Sequence, residues 1–138
     1  LKKAESARRR EQTEQFGQER KEQAMPYIHV VTNEPIGADA EAGIKKKIGR
    51  AIEAIPGKSD KWLMVHISGN ETLFFGEREG TTAFVTVKVY GKASPEAYSE
   101  LTKRITAILE EELHAPAQNI YVQYEECNFW GWNGNNFS

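Results

Sequence analysis

The chain has 138 residues, 39% hydrophobic and 28% charged. That balance belongs to soluble globular proteins, and the length fills one domain with no room for a second. Its 18 Lys/Arg and 20 Asp/Glu leave a net charge of −2, unevenly spread: residues 1–25 hold seven basic and five acidic side chains, leaving eleven and fifteen for residues 26–138. A mildly acidic main segment has no electrostatic reason to bind phosphate backbones, so DNA and RNA are excluded as partners. No run approaches the roughly 20 apolar residues that span a bilayer, and the N-terminus lacks the apolar core of a secretory signal, so no membrane partner is expected. The single Cys127 cannot close an intramolecular disulfide, which suits a cytoplasmic location.

Residues 1–24 are rich in Glu, Gln, Lys, Arg and Ala, which favour helix. Glu5 and Arg9 stand four apart with the acid first, a weakly helix-stabilising pair. No continuous apolar stripe runs along the segment and Gly17 weakens its middle, so it reads as a helix polar all round. The run Arg8-Arg9-Arg10 is interleaved with acids and reads as a solvated face.

From Pro26 the pattern changes. Tyr27-Ile28-His29-Val30-Val31-Thr32 is β-branched and aromatic and predicts a strand, closed by Asn33, Pro35 and Gly37. Ile44, Ile48, Ala51, Ile52 and Ile55 recur at helical spacing and predict an amphipathic helix ending at Pro56-Gly57. Trp62 to Ile67 predicts a second strand. The order then repeats. Ala83 to Tyr90 alternates like a strand and Gly91 interrupts it. Ser94-Pro95 is a helix start, the serine as cap and the proline where no amide hydrogen is needed. Tyr98, Leu101, Ile105, Ile108, Leu109 and Leu113 form that helix's apolar face, and Asn119 to Tyr124 predicts the last strand. Two βαβ units imply an α/β (α+β) fold, a four-stranded sheet with two helices on one face. Valine, tyrosine and threonine on both sides of the strands predict a sheet covered on its other face by further copies. The tail Asn128 to Ser138 is expected to be an irregular ribbon packing its aromatics onto a neighbour.

These residues resemble the macrophage migration inhibitory factor family of the tautomerase superfamily. The resemblance covers residues 26–138, so residues 1–25 form an added helical extension or fusion linker and 26–138 the domain. Its landmarks are Pro26 to Pro35, Gly57-Lys58 ahead of Val65-His66, Phe75-Gly76, Ile120-Tyr121-Val122-Gln123-Tyr124 and Gly131-Trp132-Asn133. The resemblance implies a homotrimer with helices outside and a pocket at each subunit boundary. It implies keto–enol isomerisation of phenylpyruvate-type α-keto acids, by an N-terminal proline base and without a cofactor. Residue by residue it assigns Pro26 as the base, Lys58 as the cation that holds the substrate carboxylate, and Tyr90 as pocket lining larger than the usual aliphatic residue. Tyr121 would be contributed by a neighbouring subunit, Gln123 stands where the mammalian member carries asparagine, and Trp130 falls on the aromatic or aliphatic wall near the C-terminal ribbon.

Without the resemblance, three of these have plainer readings: Lys58 as a solvated lysine after a helix-ending glycine, Tyr121 as sheet packing, and Pro26 as a strand-opening proline. The Cys-x-x-Cys pair of mammalian members is replaced by Thr82-Ala83-Phe84-Val85, which removes thiol oxidoreductase chemistry. His29, His66 and His114 have no zinc-like spacing, and no metal is expected.

The chemistry carries its own obstacle. A free N-terminal proline is a secondary amine whose pKa falls on burial, so it can work as a base near neutrality. While Met25 and Pro26 remain joined, the nitrogen belongs to a tertiary amide with its lone pair delocalised, and the activity should be impaired. The alternative is a symmetric trimeric scaffold in an engineered or fused assembly. Residues 1–24 would then be a rigid connector, about 36 Å long if fully helical, through which further assembly takes place.

Overall fold

The computed structural model describes residues 26–137, and the helix expected over residues 1–24 lies outside them. The elements follow one another as β1 (Tyr27–Thr32), α1 (Ala38–Ala51), β2 (Met64–Ser68), β3 (Ala83–Tyr90), α2 (Pro95–Leu113), β4 (Ile120–Cys127), β5 (Trp130–Trp132) and β6 (Asn135–Phe137). Strands β2-β1-β3-β4 form one sheet, with β1–β2 and β3–β4 parallel and β1–β3 antiparallel. Each parallel pair is one βαβ unit, and the two join through the central antiparallel pair.

Period-two alternation decides which face is core. Ile28, Val30 and Thr32 of β1 and Ala83, Val85, Val87 and Val89 of β3 are buried beneath the helices. Ile44 and Ile48 of α1 meet them from above with Leu101, Ile105 and Leu109 of α2, all fully buried. Each such side chain contributes about 1.5–3 kcal/mol of hydrophobic stabilisation. The predicted Ser94 cap is present, its Oγ accepting from the Ala97 N–H at 3.1 Å with Pro95 at the first helical position. His114 ends that helix with φ of 59°, the left-handed turn that closes many helices.

Three details depart from expectation. The second strand begins at Met64, because Asp60–Trp62 forms a 3₁₀ turn. The C-terminal ribbon is a regular hairpin, Trp130 pairing with Phe137 and Trp132 with Asn135. Asn133 and Gly134 lie at its tip with φ of 53° and 79°, the pair of positive values that a two-residue type I′ turn requires. The face away from the helices is not a second apolar layer. It carries His29, His66, Thr86, Lys88, Gln123 and Glu125 beside Tyr27, Phe84 and Tyr121. His29 and His66, opposed in the β1–β2 register, stack with ring centroids 4.0 Å apart. His29 Nε2 shares a hydrogen bond with Ser68 Oγ at 2.9 Å, and His66 Nδ1 one with the Tyr27 hydroxyl at 2.5 Å.

Candidate active site

Strand direction places four of the six predicted residues at one end of the sheet, Tyr121 at the other and Gln123 between them, opposite Thr86. Pro26 opens β1, is buried, and its carbonyl accepts the Met64 N–H at 3.3 Å. Because β3 runs antiparallel to β1, Tyr90 at the end of β3 returns to that same edge. Lys58 stands in the connection leading into β2 at this end, its N–H donating to Ile55 O at 3.1 Å, with Gly57 at φ of 81° turning the chain before it. Burial pushes the Lys58 ammonium below the usual lysine range. That is the response of a charge held in a poorly solvated place, and there its attraction for an anion is strengthened.

The C-terminal hairpin walls this end. Phe137, buried, meets Tyr90 edge to face with centroids 5.5 Å apart, and Trp132 meets Trp62 likewise at 5.3 Å. Trp130 lies in the hairpin opposite Phe137. The aromatics expected on a neighbour thus also seal their own chain, and Trp62 and Phe137 join the wall although sequence reading did not single them out. The signal for them was the Asn133-Gly134 turn, which folds the tail back on itself. Two clefts of about 440 and 450 Å³ lie between α1 and β2, and none of the six residues lines either.

Tyr121 and Gln123 are elsewhere. Tyr121 pairs with Phe84, which pairs with Val31, so it stands about five residues along the strands from Pro26, roughly 17 Å. No side chain closes that gap within one chain. Tyr121 is half exposed and packs on Phe75 with centroids 4.5 Å apart and on Phe84 at 6.3 Å. Phe75 in turn carries the Arg78 guanidinium 4.2 Å from its centroid. Beneath them three buried polar residues tie the strand ends together: Thr32 Oγ1 donates to Thr82 O at 2.7 Å, and Thr82 Oγ1 to Asn119 O at 2.8 Å.

The family model for macrophage migration inhibitory factor matches residues 25–138. The chain belongs to that family. It is 26% identical over 115 residues to the macrophage migration inhibitory factor homolog of Brugia malayi, covering 82% of this chain and 99% of that one. The solved structure of Leishmania major MIF2 superposes with a TM-score of 0.76 at 27% identity, covering 82% of this chain and 97% of that one. The homologue from Prochlorococcus marinus gives 0.72 at 26%, covering 81% and 99%. Family membership agrees with the two βαβ units and their sheet order. The match opens on Met25, directly before Pro26. Among the described residues no helix is long and apolar enough to cross a membrane, and no group of three or more His, Cys, Asp or Glu is placed to hold a metal ion.

Proposed function

We propose that the domain is a trimeric, cytoplasmic tautomerase that interconverts keto and enol forms of phenylpyruvate-type α-keto acids, and that Pro26 is its base once its nitrogen is a free amine. The observation that carries this reading is the family match beginning at Met25-Pro26, with Pro26 buried at the sheet end that also holds Lys58 and Tyr90. A buried secondary amine resists protonation, so its neutral form accepts the proton from the carbon next to the carbonyl and returns it to oxygen or carbon. Lys58 holds the substrate carboxylate, and its partial burial makes that attraction stronger than a solvated ammonium would supply. Tyr90, Phe137, Trp130 and Trp132 exclude water. Tyr121 enters the pocket from a second copy, which its separation of roughly 17 Å along the strands makes a requirement of the reading, and Gln123, two residues on in the same strand, is assigned to that copy with it.

With Met25 attached, Pro26 has no basic lone pair and the pocket is held inactive. A chain that keeps residues 1–25 is then a symmetric building block rather than a catalyst, which is the second reading and rests on the amide alone. Both are separated by comparing the full chain with a chain expressed from Met25, whose methionine is removed. The processed form should ketonise phenylpyruvate enol while the full chain is slower by at least two orders of magnitude, on the scale of lost general-base catalysis. Sedimentation must report three chains, and intact mass must confirm each N-terminus. Equal rates with residues 1–25 retained throughout would remove Pro26 as the base.

A further inference from the structure

Away from the Pro26 end, Arg78 is held by both a ring and backbone and side-chain acceptors, and that hold has a traceable origin. Phe75 to Arg78 is a turn closed by the Arg78 N–H donating to Phe75 O at 3.1 Å, with Gly76 at φ of 57°. A side chain at Gly76 would strain that conformation. The turn folds Arg78 back over the Phe75 ring, where the guanidinium sits 4.2 Å from the centroid. Its Nη1 donates to Gln118 O and to Asn119 Oδ1, the latter at 3.4 Å. Asn119 is itself buried and fixed, its Nδ2 donating to Thr81 O at 3.2 Å and to Glu79 O at 3.5 Å. The far side of the same assembly is Tyr121, stacked on Phe75.

This arrangement spends one nitrogen of the guanidinium on anchoring and leaves the rest. Among the described residues, Nε and Nη2 donate to nothing and the Tyr121 hydroxyl has no hydrogen-bond partner, while both side chains remain exposed. A guanidinium already held by a ring face and two acceptors loses little freedom when its remaining edge binds an anion, and that edge matches a carboxylate in two-point geometry. A structural tie alone needs only the Nη1 contacts.

We infer that Arg78 is a specificity-determining residue that, beside Tyr121, receives a second anionic group at the substrate's distal end. The inference rests on the reading that Tyr121 lines a neighbouring copy's pocket, and it names the substrate class as α-keto acids with a carboxylate remote from the reacting carbons. Lys58 then holds the carboxylate next to the carbonyl, and Arg78 of another copy holds the remote one.

The test compares probes that differ by one ring carboxylate. In the full chain and in the chain expressed from Met25, calorimetry should show 4-(2-carboxyethyl)benzoate binding more tightly than 3-phenylpropanoate. In the processed form, 4-carboxyphenylpyruvate should be turned over with higher kcat/KM than phenylpyruvate. Arg78→Gln should lower both preferences about ten- to a hundredfold, the scale of one lost charged hydrogen-bonding contact. Arg78→Lys, which keeps the charge and loses the fork, should fall between. A merely structural role lowers values for both probes together and leaves their ratio intact, which overturns the inference, as does absence of the preference in both forms of the chain. Turnover of phenylpyruvate with a ratio insensitive to Arg78 sinks the Arg78 assignment alone. An Arg78-dependent binding preference without any turnover supports it and sinks the Pro26 reading.

Discussion

Thr82→Val isolates the buried tie beneath Tyr121 with almost no change of shape. The Thr82 side chain is 5% exposed and its hydroxyl donates to Asn119 O at 2.8 Å, while Asn119 is 4% exposed. Valine fills the same volume but removes the donor, so one net hydrogen bond is lost and a desolvated carbonyl is left without that partner, together about 1–3 kcal/mol. Thr32→Val should cost at least as much, because Thr32 is fully buried and its hydroxyl both donates to Thr82 O at 2.7 Å and accepts the Glu34 N–H at 3.2 Å. The two substitutions touch one network, so the double variant should cost less than the sum of the singles. Urea unfolding at one fixed chain concentration measures all three, since self-association adds a concentration-dependent contribution. A Thr82→Val change below about 0.5 kcal/mol, the range of ordinary surface substitutions, would show that this tie does not hold the strand ends.

Lys58→Ala in the processed form should raise KM for phenylpyruvate about tenfold while kcat changes little, as expected for loss of carboxylate holding, and steady-state kinetics read the split. His29 has its pKa lowered from 6.5, first by burial and then by the charges of His66 and Lys88, with Glu71 acting the other way. A depressed folded pKa means the unfolded chain binds more protons, so stability is full above about pH 6.5 and declines as pH falls towards the folded value; His29→Gln should flatten that decline in urea midpoints. Tyr98 is pushed up to about 12, chiefly by burial and then by its hydrogen bond to Glu126 at 2.8 Å, and Tyr124 is also raised by burial. Ultraviolet titration should therefore find late-ionising tyrosine, and Tyr98→Phe should remove part of that late step.

Hydrophobic periodicity was sufficient for the sheet and both helices because each buries one continuous face, and a buried face writes its period into the residues that make it. The Ser94-Pro95 start was legible for a local reason, a side chain capping its own helix. The mixed character of the outer face was not legible, because Val31, Thr86 and Tyr27 satisfy a strand pattern whichever face they occupy, and only the register brings His29 opposite His66. The hairpin's Asn133-Gly134 signal was present and was treated as looseness rather than as a turn. Asn119 looked like one more loop asparagine, yet it is 4% exposed and binds groups about 40 residues away, a relation no local pattern records. Arg78 was invisible for the same reason: its contacts to Gln118 and Asn119 cross from the β2–β3 connection to the start of β4.

The two ends of the sheet differ in the kind of charge they offer, and that difference bears on how the proposed site would divide its labour. Lys58 is a partly buried ammonium whose pKa burial lowers, so its charge depends on what surrounds it. Arg78 is exposed, stacked and anchored, with a planar fork of donors held in place by its ring and amide contacts. The first suits the carboxylate beside the reacting carbons, which a poorly solvated cation attracts strongly. The second suits a remote group that only fixes register, since its interaction is the same before and after proton transfer and contributes to binding rather than to the rate step. Because these two cations stand at opposite ends of one chain, a substrate spanning both would link catalysis to assembly: under that proposal neither the base with its cation nor the anchor with its tyrosine would be a site until a second copy supplied the other half.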